Sequence, residues 1–148
     1  VMANIYMSRA ELLLELGDGS IAARCCALAL DIHRQVGNHL GEAETYRLLG
    51  RLFTARRQWR TAENLLQDSL RLSEEYNSPL GAAETRRDLG RMMAARGRTT
   101  DAQVAFGAAL EGFRKLGAEQ EARKVEELIG EMVGSFSSGT AVETTPPA

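Results

Sequence analysis

With 148 residues, 44% of them hydrophobic and 26% charged, the chain has the length of one domain and the composition of an ordinary globular protein. Its formal net charge of −2 provides no overall field to attract nucleic acid or an anionic membrane surface. No apolar run approaches the roughly 18 residues of a membrane span, and the opening VMANIY lacks the basic segment and cleavage pattern of a signal peptide. A valine in first place raises the expectation of a piece of something longer.

The first predicted helix covers about Asn4 to Leu16, where Ile5, Tyr6, Leu12, Leu13 and Leu16 recur at helical spacing. Gly17-Asp18-Gly19-Ser20 turns the chain, with Ser20 or Asp18 as cap of the next helix. Gly17, Gly19 and Ala22 spell G-x-G-x-x-A, but a dinucleotide site needs a strand before that pattern. Here the preceding ELLLEL reads as helix, and Asp18 would repel a pyrophosphate. The second helix, Ser20 to Val36, carries Cys25 and Cys26 side by side, and a disulfide between neighbours would strain it. His33 lies about 10 Å further along the axis, too far to share a metal with Cys26. Both cysteines are therefore expected to be buried thiols in a reducing, cytoplasmic compartment, with no metal and no cofactor. Gly37-Asn38 closes the helix.

Leu40 to Arg56, Thr61 to Tyr76, Pro79 to Arg96 and Thr100 to Leu116 follow as predicted helices, with Trp59 falling in a turn where packing is its expected role. Gly41 to Arg56, GEAETYRLLGRLFTAR, returns forty residues later as GAAETRRDLGRMMAAR, Gly81 to Arg96. The same offset pairs Ala22 with Ala62 and Ala102, Leu30 with Leu70 and Leu110, and Leu49-Gly50 with Leu89-Gly90 and Ile129-Gly130. A period of that size marks a solenoid whose units bury their apolar faces by stacking. The expected units are about 1–40, 41–80 and 81–120, with a charged last helix, Glu119 to Val133, as cap and 134–148 as a flexible tail or linker. Gly50 and Gly90 sit inside helices, where glycine costs about 1 kcal/mol against alanine. Close approach of the partner helix at Ala62 and Ala102 is the expected compensation.

Tyr46, Leu49, Gly50, Phe53, Ala62 and Leu66 in one unit, and Arg86, Leu89, Gly90, Met93, Ala102 and Phe106 in the next, resemble the tetratricopeptide repeat. The resemblance spans Asn4 to Val133. Where the family's motif has proline, this chain has Glu74 and Arg114, so the second helix can run on and lengthen the usual 34-residue period to 40. Long-helix variants of this kind are similar to repeats of bacterial regulators, signalling proteins and kinesin light chains. The resemblance implies an all-α, right-handed α-solenoid of antiparallel helix pairs that binds a protein or peptide on a concave face built from the first helix of each unit. It assigns to that face Glu44, Arg47, Arg51 and Thr54, then Glu84, Arg87, Arg91 and Ala94.

Arg47 and Arg51 lie four apart, as do Arg87 and Arg91, so each pair shares a helix face. Glu11 and Glu15 before them, and Glu127 and Glu131 after, reverse the sign at the same positions, so the groove is expected to be basic in the centre and acidic at its ends. Two readings follow. The arginines grip carboxylates of an acidic partner, or they pair internally with Glu44, Glu84 and the flanking acids. A second basic group, Arg56, Arg57, Arg60, Arg96 and Arg98, gathers at turns. Without interleaved aromatics it is expected to be a solvated edge rather than a nucleic-acid site. No catalytic constellation recurs, so the chain is read as a binding scaffold of a larger bacterial signalling or regulatory protein, not an enzyme. The alternatives are a ligand-sensing arm that controls an output domain, and self-association through Ile5, Tyr6 and Leu13.

Overall fold

In the computed structural model the described backbone runs from residue 2 to residue 142, and the described side chains from residue 2 to residue 135. It forms seven helices: α1 (Met2–Glu15), α2 (Gly19–Val36), α3 (His39–Ala55), α4 (Trp59–Glu75), α5 (Pro79–Ala95), α6 (Thr99–Lys115) and α7 (Glu119–Val142). No strand occurs among the described residues. Helices α1, α3 and α5 each pack antiparallel on the helix that follows, each pair stacks on its neighbour and α7 closes the last pair, so the described chain is an all-α solenoid.

Turn chemistry sets the helix ends. Gly17, Gly37, Gly97 and Gly117 adopt positive φ at the connections, where a left-handed residue lets the chain reverse. Arg57 and Asn77 do the same without being glycine. Asn38 accepts the Gly41 amide at 2.9 Å and Ser78 the Gly81 amide at 3.1 Å, each meeting one donor that a helix start leaves open. Asp18, not Ser20, caps α2. Trp59 is not in a turn. It is the first residue of α4, packed against Ala62, Leu66, Leu89 and Met92, because the turn closes one residue earlier at Gln58.

The interior glycines have a different partner from the expected alanines. A Cβ on Gly50 would lie 2.6 Å from Leu66, and one on Gly90 would lie 2.5 Å from the Phe106 ring. Ala62 and Ala102 are fully buried, but the side chain that needs the missing Cβ is the bulky one a turn later. In the first unit the trade runs the other way. Ala10 occupies the glycine position, and Cys26 stands where Leu66 and Phe106 stand later, in one buried cluster.

Nothing breaks the second helices at the positions of the family's proline. At that register Arg34 donates to the Tyr46 hydroxyl at 2.7 Å, Arg86 pairs with Glu74 at 2.6 Å, and Arg114 pairs with Glu126. The added turn of each second helix is thus tied to the first helix of the following unit. At the far end α7 runs through residue 134 to Val142, which corrects the expected boundary at Val133; residues 143–148 lie outside the described residues. Serine and glycine propensity alone did not stop a helix already propagating.

Candidate binding surface

First helices touch one another, α1 with α3, α3 with α5 and α5 with α7, whereas α2, α4 and α6 do not. Closer spacing on one side curves a stack of helix pairs, so the first helices lie on the inner side. Glu44, Arg47, Arg51 and Thr54 project from α3, and Glu84, Arg87 and Arg91 from α5.

The arginines divide into two kinds. Arg47 is 5% exposed; its Nη1 donates to Asp88 Oδ2 at 3.1 Å and its Nη2 reaches Glu84 Oε2 at 3.0 Å. Burial opposes its charge, but Asp88 and Glu84 outweigh burial, and its pKa rises above the ordinary arginine value. Arg87 is also largely covered; its Nη1 donates to Glu121 Oε2 at 2.9 Å, and its guanidinium lies over the Phe113 ring. The buried Nε of Arg87 forms no hydrogen bond and faces Asp88 at 3.5 Å. Arg91 is 42% exposed at its side chain and donates to Asp88 Oδ1 at 3.3 Å. Burial, then the neighbouring charges of Arg87 and Arg51, lower its pKa against the pull of Asp88. Arg51 forms no ion pair among the described residues. It lines a cavity of about 190 Å³ with Thr54, Ala55, Asp88 and Arg91. The Thr54 hydroxyl donates to the Gly50 carbonyl at 2.8 Å, leaving its oxygen able to accept.

Asp88 is the hub of this network and was not among the sequence candidates. The signal was present. The residues forty before and forty after it are Leu48 and Leu128, so a carboxylate stands at an apolar register position. Glu121, the partner of Arg87, was missed because Gly41 and Gly81 precede it in register and gave no hint of charge. Glu44 is exposed and makes no ion pair with the arginines. Glu84 is drawn inward; burial raises its pKa above the ordinary carboxylate value, although Arg47 and Arg87 oppose the rise. Of the flanking acids, Glu131 shares a cavity with Arg91, Ala94 and Met132 at the α7 end.

Elsewhere the arrangement is structural. Burial pushes the Cys26 thiol up to about 12, with Cys25 adding to the shift, so it is a neutral packing group at physiological pH. Arg96 and Arg98 both approach Glu63, and Arg98 also pairs with Asp101 at 2.7 Å, which neutralises part of the turn-edge basic group. Among the described residues no group of three metal-ligating side chains forms, and no helix is long and apolar enough to cross a membrane.

The family profile described as Tetratricopeptide repeat matches residues 1–75, half of the chain. The chain belongs to the tetratricopeptide repeat family. The crystal structure of BtubC (BKLC) from P. vanneervenii is similar, with a TM-score of 0.64 at 18% identity, which establishes likeness of fold. The match covers 99% of this chain and 66% of that one. No curated protein matches the sequence. Tetratricopeptide repeats generally mediate protein–protein interaction, and an all-helical array of them is typically a scaffold without catalytic groups of its own.

Proposed function

We propose that this tetratricopeptide array is an interaction module that takes an acidic segment of a partner protein along its inner side, with Arg51 and Arg91 as the recognition pair. The observation that carries the reading is the division among the four arginines. Arg47 and Arg87 are buried in ion pairs, whereas Arg51 and Arg91 flank an open cavity with the already shared carboxylate of Asp88 between them. A partner carboxylate there would accept charge-assisted, bidentate hydrogen bonds that Asp88 alone does not exhaust. The two well-covered arginines share one register, 47 and 87, and the two at the cavity share the next, 51 and 91.

The test compares capture of partners from native lysate by the wild-type array, by Arg51→Gln/Arg91→Gln, and by Glu75→Gln on the exposed side of α4 as a surface control, with folding of each checked first. Loss of the captured protein from the double variant alone is the expected result. Equal capture by all three would exclude the Arg51–Arg91 pair from recognition. The wider reading, a module of a cytoplasmic bacterial regulatory protein, rests on the resemblance of its long repeats to such proteins and on two buried free thiols.

A second reading, self-association, is favoured by a stripe on α1. Met2, Ile5 and Leu12, with Leu16 just beyond the helix, are each more than half exposed, while Thr45, Leu52, Thr85 and Met92, at the registers of Ile5 and Leu12, are buried. Tyr6 and Leu13 are only partly buried and pack against the array's own core cluster, so less of each is open to a second copy. A sedimentation coefficient that rises with concentration, and stops rising in Leu12→Glu, is the expected signature; a concentration-independent monomer removes the idea.

A further inference from the structure

The junction between the second and third units contains a cavity that the first junction fills. It has a volume of about 210 Å³ between α3, α4 and α5. Its floor is polar and buried: Arg47, Ser69, Ser73 and Thr85. Glu44 and Glu84 stand at its wall, and the half-exposed Leu40 and Leu80 form its mouth.

The cavity exists because of one register position. At the end of α2 the imidazole of His33 lies over Gly41 and occupies the space a Cβ would need. At the end of α6 the same position is Phe113, fully buried in the third junction. At the end of α4 it is Ser73, and the Ser73 and Ser78 hydroxyls converge over Gly81, each 2.9 Å from where a Cβ would stand. Ser69 and Thr85 bond each other at 3.0 Å, and Ser78 accepts the Gly81 amide. Ser73 is 2% exposed and its hydroxyl bonds to no other group among the described residues, so it is free to meet a guest in the cavity that it lines.

The charges around the cavity specify the missing guest. The lining carries two carboxylates, Glu44 and Glu84, against one guanidinium, Arg47, which is itself shared with Asp88. Glu84 is paired with Arg47 at 3.0 Å, whereas Glu44 is exposed and forms no ion pair among the described residues. Hydroxyl oxygens and carboxylates accept from an ammonium, and Leu40, Ala43 and Leu80 suit an alkyl stem.

We propose that this cavity receives a lysine side chain of the peptide bound on the inner side, its ammonium donating to Ser73 Oγ and Glu84 and its methylenes resting on Leu40 and Leu80. The proposal rests on the groove reading above and adds a second subsite of opposite sign to the Arg51–Arg91 cavity. Glu84 and Arg91 are seven residues apart on α5, about 10.5 Å along the axis. An extended peptide covers that distance in about three residues. The partner segment therefore carries a lysine and an acidic residue three positions apart, a basic requirement that an acidic segment alone would not meet.

The probes are the blocked peptides Lys-Ala-Ala-Glu and Glu-Ala-Ala-Lys and their norleucine-for-lysine counterparts, titrated by calorimetry or NMR. Three proteins are compared: the wild-type chain, Ser73→His and Arg51→Gln/Arg91→Gln. Ser73→His places at the second junction the residue that already packs over glycine at the first, so it should fold. The norleucine peptides report on the ammonium without altering the protein. Expected is a loss of affinity of about tenfold or more on Ser73→His and a similar loss on the norleucine exchange for at least one peptide order. Unchanged affinity on both exchanges, with loss in the arginine variant, would overturn the lysine cavity and leave the groove reading standing. Affinity unchanged in all three proteins, or no binding of any probe, would overturn both, leaving the cavity to water.

Discussion

The first and second unit junctions use the same positions to opposite effect. At the first, Met7 and Leu48 pack in an apolar cluster with Ala10, Cys25, Cys26 and Ala29. At the second, the residues forty further on are Arg47 and Asp88, an ion pair at 3.1 Å with both side chains almost fully buried. Position 33 holds a histidine that fills its junction, and position 73 a serine that leaves a cavity. The comparison teaches that stacking is a geometric property of the repeat, whereas the chemistry between units is free to vary. The junction with charge and a cavity is also the one flanked by every candidate binding residue. A buried ion pair is poor evidence of stability, because desolvation offsets the attraction. Its physical consequence is to hold one geometry and to keep polar groups beside the inner surface.

The largest expected effect comes from importing half of the first junction into the second. Asp88→Leu leaves the buried Arg47 with Glu84 alone and removes the acceptor of Arg91, so a loss of about 3–5 kcal/mol is expected in urea denaturation. Importing both halves, Arg47→Met with Asp88→Leu, should recover most of that loss, because a well-packed apolar pair is often equal to a buried ion pair or better. A double variant as unstable as the single one would mean that the two junctions differ in backbone spacing and not merely in side chains.

The glycine positions give the next effect. Gly90→Ala sets a methyl against the Phe106 ring and is expected to cost about 1–3 kcal/mol. The first unit tolerates Ala10 because Cys26 is small, so adding Phe106→Cys to Gly90→Ala should give less loss than the sum of the two single changes. A thermal midpoint unmoved by Gly90→Ala would refute the close-packing account.

Glu84 gives the second junction a pH signature in the carboxylate range. Its pKa is raised in the folded chain, chiefly by burial, so the folded state holds that proton more tightly than the unfolded state does. The associated stability is present below the ordinary carboxylate range and is lost as pH rises through the raised value. Relative to Glu84→Gln, the wild type should therefore lose stability on passing from acid to neutral pH, in denaturation series run at several pH values. A constant difference between the two would place Glu84 outside any linkage. The smallest effect belongs to the exposed ties between units: Tyr46→Phe removes the Arg34 bond and should change stability by about 0–1 kcal/mol, as removal of the exposed Arg114–Glu126 pair should.

Much of the fold was legible because it is periodic. A forty-residue echo places helices, turns and unit boundaries together, and glycine or asparagine at 17, 37, 77, 97 and 117 marks the reversals. The end of α7 was not legible, since Gly134 and the serines after it lower helix propensity without forbidding a helix already formed. Nor was the clasp of Gly50 and Gly90, because sequence identifies a missing Cβ but not which facing side chain takes its place. At the candidate surface the sequence placed the arginines on one helix face and left their partners undecided. Of the expected acids Glu84 reaches Arg47 and Glu44 proved exposed, while Asp88 and Glu121 also reach the arginines across the junctions between units.

The sequence by itself determined that this protein is an array, with its period, its helix count through Val133 and the residues that share a face, because these follow from repetition and from the 3.6-residue turn of a helix. The tertiary structure decided which of four similar arginines are covered in ion pairs and which line an open cavity. It also decided that a serine at one register opens a cavity where a histidine and a phenylalanine close it. Burial and charge pairing across a junction depend on residues about forty positions apart and on how closely two helices approach, and neither quantity is written in the local pattern of the chain.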